Sequence, residues 1–165
     1  MELLVPGLIL VALMVYASTR IKRTAAAAFD AEAIETDEYV IQKPEGFLHN
    51  LSASPEYLFE AYSKEFSKEM PAIRVGRATI TRSRSVPVDD VIEELHNEGL
   101  VDKGSEVLDE LQYRHLSIEG SGVDVERHIK LCETKGAVYK LEVAASKDGS
   151  NEPWIETFMD TFRVK

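Results

Sequence analysis

The sequence predicts an α+β chain in which a single N-terminal transmembrane helix precedes one domain built on a mainly antiparallel sheet. Three observations carry this. From Leu3 to Ala17 no side chain is charged, and at a rise of about 1.5 Å per residue the span from Leu3 to Thr19 reaches roughly 25 Å, close to the hydrocarbon thickness of a bilayer. Residues 112–117, 124–133 and 137–146 alternate apolar and polar side chains, with Gly120, Gly122 and Gly136 between them, the pattern of successive hairpin strands. Two further stretches, one carrying Val88, Val91, Ile92 and Leu95 and the other Trp154, Ile155, Phe158, Met159 and Phe162, repeat at helical spacing.

Residues 1–23 form the anchor and its basic flank. Pro6 and Gly7 fall in the first turns, where early N–H groups lack helical partners anyway. A cleaved signal peptide is the rival reading, yet Glu2 precedes the run, while Arg20, Lys22 and Arg23 follow it, the reverse of a signal peptide's flanks. The positive-inside rule places that basic flank, and the domain beyond it, on the cytoplasmic side of a single-pass membrane protein. An extracytoplasmic domain, anchored or secreted, is the alternative. Residues 24–37, rich in alanine and glutamate with no breaker, predict a helical stalk or linker that holds the domain off the bilayer.

The domain is expected over residues 38–165. Removing the first 23 residues takes away three basic side chains and one acidic one, so the whole-chain charge of −10 becomes about −12. Nucleic acid and anionic lipid are therefore excluded as nonspecific partners of the domain. The single cysteine, Cys132, excludes an internal disulfide.

In chain order, Tyr39–Gln42 reads as a strand stopped by Lys43-Pro44 and turned by Glu45-Gly46. Residues 54–70 fit either element, since Leu58, Phe59, Tyr62, Phe66 and Met70 recur as in a helix while Tyr57, Phe59, Ala61 and Ser63 alternate as in a strand. Residues 73–81 are rich in β-branched side chains and read as a strand, with Gly76 as a bulge. Val88–Asn97 reads as a helix with Pro87 and two aspartates at its start and Gly99 after its end. Residues 100–111 read as a charged connector with a short helix from Ser105. Ile129 and Leu131 are expected on the same side of the sheet as Tyr139, Leu141 and Val143, with Cys132 on the other.

A first strand running into Lys43-Pro-Glu-Gly-Phe47, a strand and helix near Val75 to Leu95, a hairpin holding Tyr139-Lys-Leu-Glu-Val143, and a closing helix ending Met159-Asp-Thr-Phe-Arg-Val164 together resemble the PsbP-like superfamily. That group includes DcrB-type bacterial proteins and Mog-type Ran-binding factors. The resemblance covers about residues 38–165 and implies an α/β/α-layered domain. It also implies a non-enzymatic accessory or binding role, and turns residues 57–66 towards strand.

Four arginines, Arg74, Arg77, Arg82 and Arg84, crowd one predicted strand and its end, and planar guanidinium groups grip carboxylate or phosphate bidentately. They are the candidate anion-binding residues; pairing with neighbouring Asp and Glu is the structural reading of the same side chains. His49, His96, His115 and His128 show no metal-ligand spacing, and Gly120-Ser-Gly122 lacks the setting of a phosphate loop. No catalytic set and no cofactor is expected. The leading expectation is a membrane-anchored adaptor that engages the bilayer through residues 3–19 and an unknown protein partner through its acidic domain. A small anionic-ligand-binding domain comes second and an enzyme third.

Overall fold

The computed structural model describes residues 4–51, 55–63, 76–118, 125–134, 136–146 and 153–165, with side chains from Ile9 onward. The described elements are α1 (Leu4–Ala27), β1 (Glu32–Glu35), β2 (Tyr39–Lys43), β3 (Phe47–His49), β4 (Phe59–Ser63), β5 (Gly76–Arg84), α2 (Val88–Asn97), β6 (Val101–Leu108), β7 (Leu111–Ile118), β8 (Val125–Thr134), β9 (Ala137–Ser146), α3 (Pro153–Thr161) and β10 (Arg163–Val164). Among these residues the strands form a three-stranded sheet, β1-β2-β10, and a seven-stranded sheet, β3-β4-β5-β9-β8-β7-β6. Every pairing is antiparallel.

Helix α1 forms as its composition dictates, and its threonine hydroxyls return to its own backbone, Thr19 to Val15 O at 2.8 Å and Thr24 to Arg20 O at 3.0 Å. Among the described residues no helix is long and apolar enough to cross a membrane. The span expected over residues 3–19 is thus not met there, for a simple reason. Arg20, Lys22 and Arg23 fall in the last two turns of α1, and from Ile9 to Ala27 they leave the helix not apolar enough to span.

The expected stalk is corrected too. The helix stops at Ala27, and Glu32–Glu35 is a strand, paired with β2 from Glu32↔Lys43 to Glu35↔Val40. A boundary at residue 38 falls inside this hairpin. The reason is Ile34, an apolar side chain that packs against the domain core and draws its strand with it.

The two faces of the large sheet carry separate cores. On one face α2 lays down Ile92 and Leu95 against Leu116, Ile129, Leu131 and Val138. Its start holds Asp89 and Asp90, which favour the positive end of the helix dipole, and its end closes through Gly99 at φ +92°. The opposite face is covered by α3 and the small sheet, which bury Phe158 and Phe162 with Tyr139, Leu141, Val143, Ile41 and Val164. β10 pairs with β2, and the Tyr113 hydroxyl accepts the Val164 N–H at 2.9 Å.

Register decides which side chains meet. Ile129 stands opposite Glu142 and Leu131 opposite Lys140, whereas Cys132 stands opposite Tyr139. Ile129 and Leu131 therefore face α2, not the side of Tyr139 and Leu141, because a slip of one residue exchanges the two faces of a strand. Cys132 lies on the α3 face. Residues 59–63 are strand, as the resemblance implied, while residues 64–75 lie outside the described residues.

Gly76 pairs regularly with Ala145, so it is no bulge. Its role is clearance: a Cβ there would lie 2.6 Å from the Trp154 ring and 2.9 Å from Phe47. The bulge occurs instead in β6 between Asp102 and Gly104, where Gly104 adopts φ +139°. Residues 101–108, expected as a connector, are thus the edge strand of the large sheet. It turns into β7 through Asp109 and Glu110, both at positive φ, as in a two-residue hairpin turn.

Candidate functional site

Among the described residues, a group of ionisable side chains lies on the α3 face where β6, β7 and β8 run together. The ladder sets Glu106 opposite Tyr113, Tyr113 opposite Cys132, and His115 opposite Lys130. Lys130 is fully buried. Its ammonium donates to Met159 O at 2.8 Å, lies 2.7 Å from Glu106 Oε1, and sits 4.8 Å from the centre of the Tyr113 ring. His115 Nε2 lies 3.1 Å from the same Glu106 oxygen.

Electrostatics follow from burial and pairing. The hydrogen bond from Lys130 holds the Glu106 carboxyl below its ordinary value against the opposing effect of burial. Burial pulls the Lys130 ammonium down while Glu106 holds it up. Burial also pushes Tyr113 up to about 12 and raises the Cys132 thiol, which is therefore protonated and a poor nucleophile near neutral pH. In this arrangement one ammonium clasps the sheet edge, through Glu106, to the last turn of α3, through Met159 O. Beside it, among the described residues, His128 Nε2 is buried with no hydrogen-bond partner.

A second clasp involves Lys43, which is also fully buried. Its ammonium donates to Ala28 O at 3.0 Å, Asp30 O at 2.6 Å and Phe47 O at 3.0 Å. Three carbonyls match its three donors.

The candidate arginines that are described do not converge. Arg74 lies outside the described residues. Arg77 donates through Nε and Nη2 to Glu60 Oε1 at 3.0 and 2.7 Å, and its guanidinium stands 5.0 Å from the centre of the Tyr57 ring. Arg82 pairs with Glu38, whose other oxygen accepts from the Tyr139 hydroxyl at 3.1 Å. Arg84 is exposed at the end of β5. Since Ala78 and Ile80 face α3, strand alternation puts Arg82 and Arg84 on that face and Arg77 on the other. The acidic neighbours that the composition supplies have taken up Arg77 and Arg82. Arg20, Lys22 and Arg23, the basic flank, are exposed near the end of α1.

Among the described residues no group of three or more His, Cys, Asp or Glu side chains could hold a metal ion. The concavities at Tyr16, Arg20, Ile21 and Thr24 are shallow grooves on α1 itself, not clefts between elements.

Lys130, Glu106 and Lys43 escaped the sequence reading. Alternation along Ile129-Lys130-Leu131 marks Lys130 as the outward residue of a half-covered strand, but β8 is covered on both faces. The available signal was the burial-prone context itself: a lysine between His128 and Cys132 on a central strand has to find acceptors inside the protein.

No protein-family model and no curated protein matches the chain. Among solved structures, the solution structure of cyanobacterial PsbP (CyanoP) from Synechocystis sp. PCC 6803 is similar over 83% of this chain and 94% of its own, with a TM-score of 0.57 and 14% identity. A crystal structure from Bacteroides thetaiotaomicron VPI-5482 aligns over 77% of this chain and 45% of its own at a TM-score of 0.46 and 14% identity. A Pseudomonas aeruginosa protein of unknown function aligns over 76% of this chain and 90% of its own at a TM-score of 0.36 and 11% identity. The first of these likenesses shows a PsbP-like fold, a mixed domain with mainly antiparallel sheets; at this identity it carries fold alone.

Proposed function

We propose that the chain is a membrane-tethered, non-enzymatic accessory protein whose acidic PsbP-like domain binds a protein partner at the bilayer surface. The observation that carries this is the state of α1. Leu10, Leu13, Met14 and Ile21 are 59, 59, 64 and 68% exposed, and Ile9, Val11, Val15 and Tyr16 are exposed to a similar degree. Consecutive positions point in every direction around a helix, so the apolar surface is continuous all round. Such a helix is at rest in a membrane or in a core, and among the described residues no part of the domain core packs against it. The uncharged run extends in sequence from Ile9 back to Leu3, which supplies the remaining length. Clasped lysines and paired arginines support an accessory role better than a reaction, in line with what resemblance to PsbP-like and DcrB-type proteins implies.

Fractionation of cells making the full chain tests the reading. The protein should stay with membranes through high salt and alkaline carbonate, and a chain beginning at Thr24 should be released. Recovery of the full chain in the soluble fraction would refute it. The basic flank sets the side: a fluorescent protein fused after Lys165 should glow and alkaline phosphatase there should be inactive. Replacing Arg20, Lys22 and Arg23 by serine while adding lysines after Met1 should reverse that pattern. Crosslinking in native membranes then identifies the partner.

A further inference from the structure

We infer that α1 and the domain form one rigid lever, joined without a flexible linker by the buried Lys43 ammonium. Hydrogen bonding continues past the helix end, with Ala28 N–H to Thr24 O at 3.3 Å, Phe29 N–H to Ala26 O at 3.0 Å and Asp30 N–H to Ala27 O at 3.1 Å. The next residues are held from the other side. Lys43 Nζ gathers Ala28 O and Asp30 O together with Phe47 O, and Gly46 N–H donates to Phe29 O at 2.8 Å. β1 starts at Glu32, where Glu32 pairs with Lys43 in register and its carboxylate lies 3.4 Å from His49 Nδ1. Only Ala31 stands between the last of these ties and the first strand. A fully buried ammonium that loses acceptors is left with unmet hydrogen bonds in a low dielectric, so hinge motion at residues 28–30 is opposed by the cost of exposing or orphaning Lys43.

The joint stands on these contacts alone. Its consequence rests on the membrane reading: Arg23 and Ala28 are five positions apart, so the domain sits about 7.5 Å of helix beyond the basic flank. Held at that height and in one orientation, it meets only partners at the membrane face.

Spin labels at Tyr16→Cys and Glu156→Cys, in a Cys132→Ala full-length background in detergent micelles, measure the lever directly. The unaltered joint should give one narrow distance distribution. A chain with Gly-Ser-Gly-Ser inserted between Thr24 and Ala25, which leaves the clasp intact but frees the helix, should lose the narrow peak. Lys43→Met should lose it as well while the domain still melts cooperatively. Two results would overturn the inference: a distribution in the unaltered chain as broad as that of the insertion, or a narrow peak retained by a cooperatively melting Lys43→Met protein. Should Lys43→Met fail to melt cooperatively, the comparison of unaltered and inserted chains decides by itself. Because the distance is internal to the chain, it fails or holds independently of whether fractionation finds the protein on membranes.

Discussion

Lys130 Nζ lies 2.7 Å from Glu106 Oε1, the lysine wholly buried and the glutamate 40% exposed at the rim. The pair joins an edge strand to the helix on the opposite side of the cluster, and its asymmetry of exposure sets how it should respond to mutation and to acid. Glu106→Gln leaves the ammonium buried with Met159 O and the Tyr113 ring. We expect a loss of about 1–3 kcal/mol in urea unfolding, below the ~3–5 kcal/mol of a fully buried pair because solvent screens the exposed partner.

The same pair predicts an acid response. The folded-state pKa of Glu106 is depressed by Lys130, so its contribution is complete above the unfolded carboxyl value of about 4.3 and is lost as pH falls through the lower folded value. Unfolding free energy should drop on acidification through that window, and the drop should be shallower in Glu106→Gln. A residual slope remains from Glu142, which burial raises but Arg127 and Lys140 lower further, for a net depression. Identical pH profiles for the two proteins would show that the pair is not coupled to folding.

Phe158→Ala should be severely destabilising. Phe158 is 0% exposed, with its ring 5.2 Å from that of Phe47 and 6.3 Å from that of Phe59, and truncating a core phenylalanine costs about 3–5 kcal/mol. Glu156 is exposed on the far side of α3, so Glu156→Ala should change stability by less than about 0.5 kcal/mol. Equal effects in denaturant titration would mean that α3 does not dock.

Gly76→Ala places a methyl group 2.6 Å from the Trp154 ring. Overpacking of this kind costs about 1–3 kcal/mol. The shift should appear in the melting temperature and in Trp154 fluorescence together. An unchanged emission spectrum with full stability would show that the ring lies elsewhere.

Removing residues 1–36 deletes β1 and two of the three acceptors of Lys43. A chain starting at Asp37 should therefore melt well below one starting at Thr24, in thermal denaturation followed by circular dichroism. Equal melting temperatures would restore residues 24–37 to the role of a mere spacer.

What the sequence revealed, and what it hid, divides by the range of the physics. Helix α2 was legible because Pro87, Asp89, Asp90, the apolar stripe and Gly99 all act within one or two turns. The docking of Phe158 and Phe162 was legible because a stripe that apolar has to be covered. The β6–β7 hairpin was hidden because its turn uses Asp109 and Glu110 at positive φ, where a glycine or an Asn-Gly pair would have announced it. The relative facing of Ile129 and Tyr139 was hidden for another reason: each strand shows its own alternation, but only the pairing of Cys132 with Tyr139 fixes one against the other. The clasps belong to this second class. A lysine looks solvated in any local window, and Lys43 and Lys130 are inside only because elements distant in the chain, residues 28–30 for one and α3 for the other, close over them.

The pairing of β10 with β2, at Arg163↔Val40 and Val164↔Tyr39, sets an order on biosynthesis. Nearly the whole domain has to be translated before residues 163–164 can complete the small sheet, and until then β2 has one unpaired edge and the Tyr113 hydroxyl lacks the Val164 N–H. Closing a loop of that length comes late and slowly in folding. If α1 enters the membrane as it leaves the ribosome, an incomplete sheet is already fixed next to the bilayer, where it waits with an open strand edge. A ribosome stalled before Arg163 would leave the small sheet without its third strand.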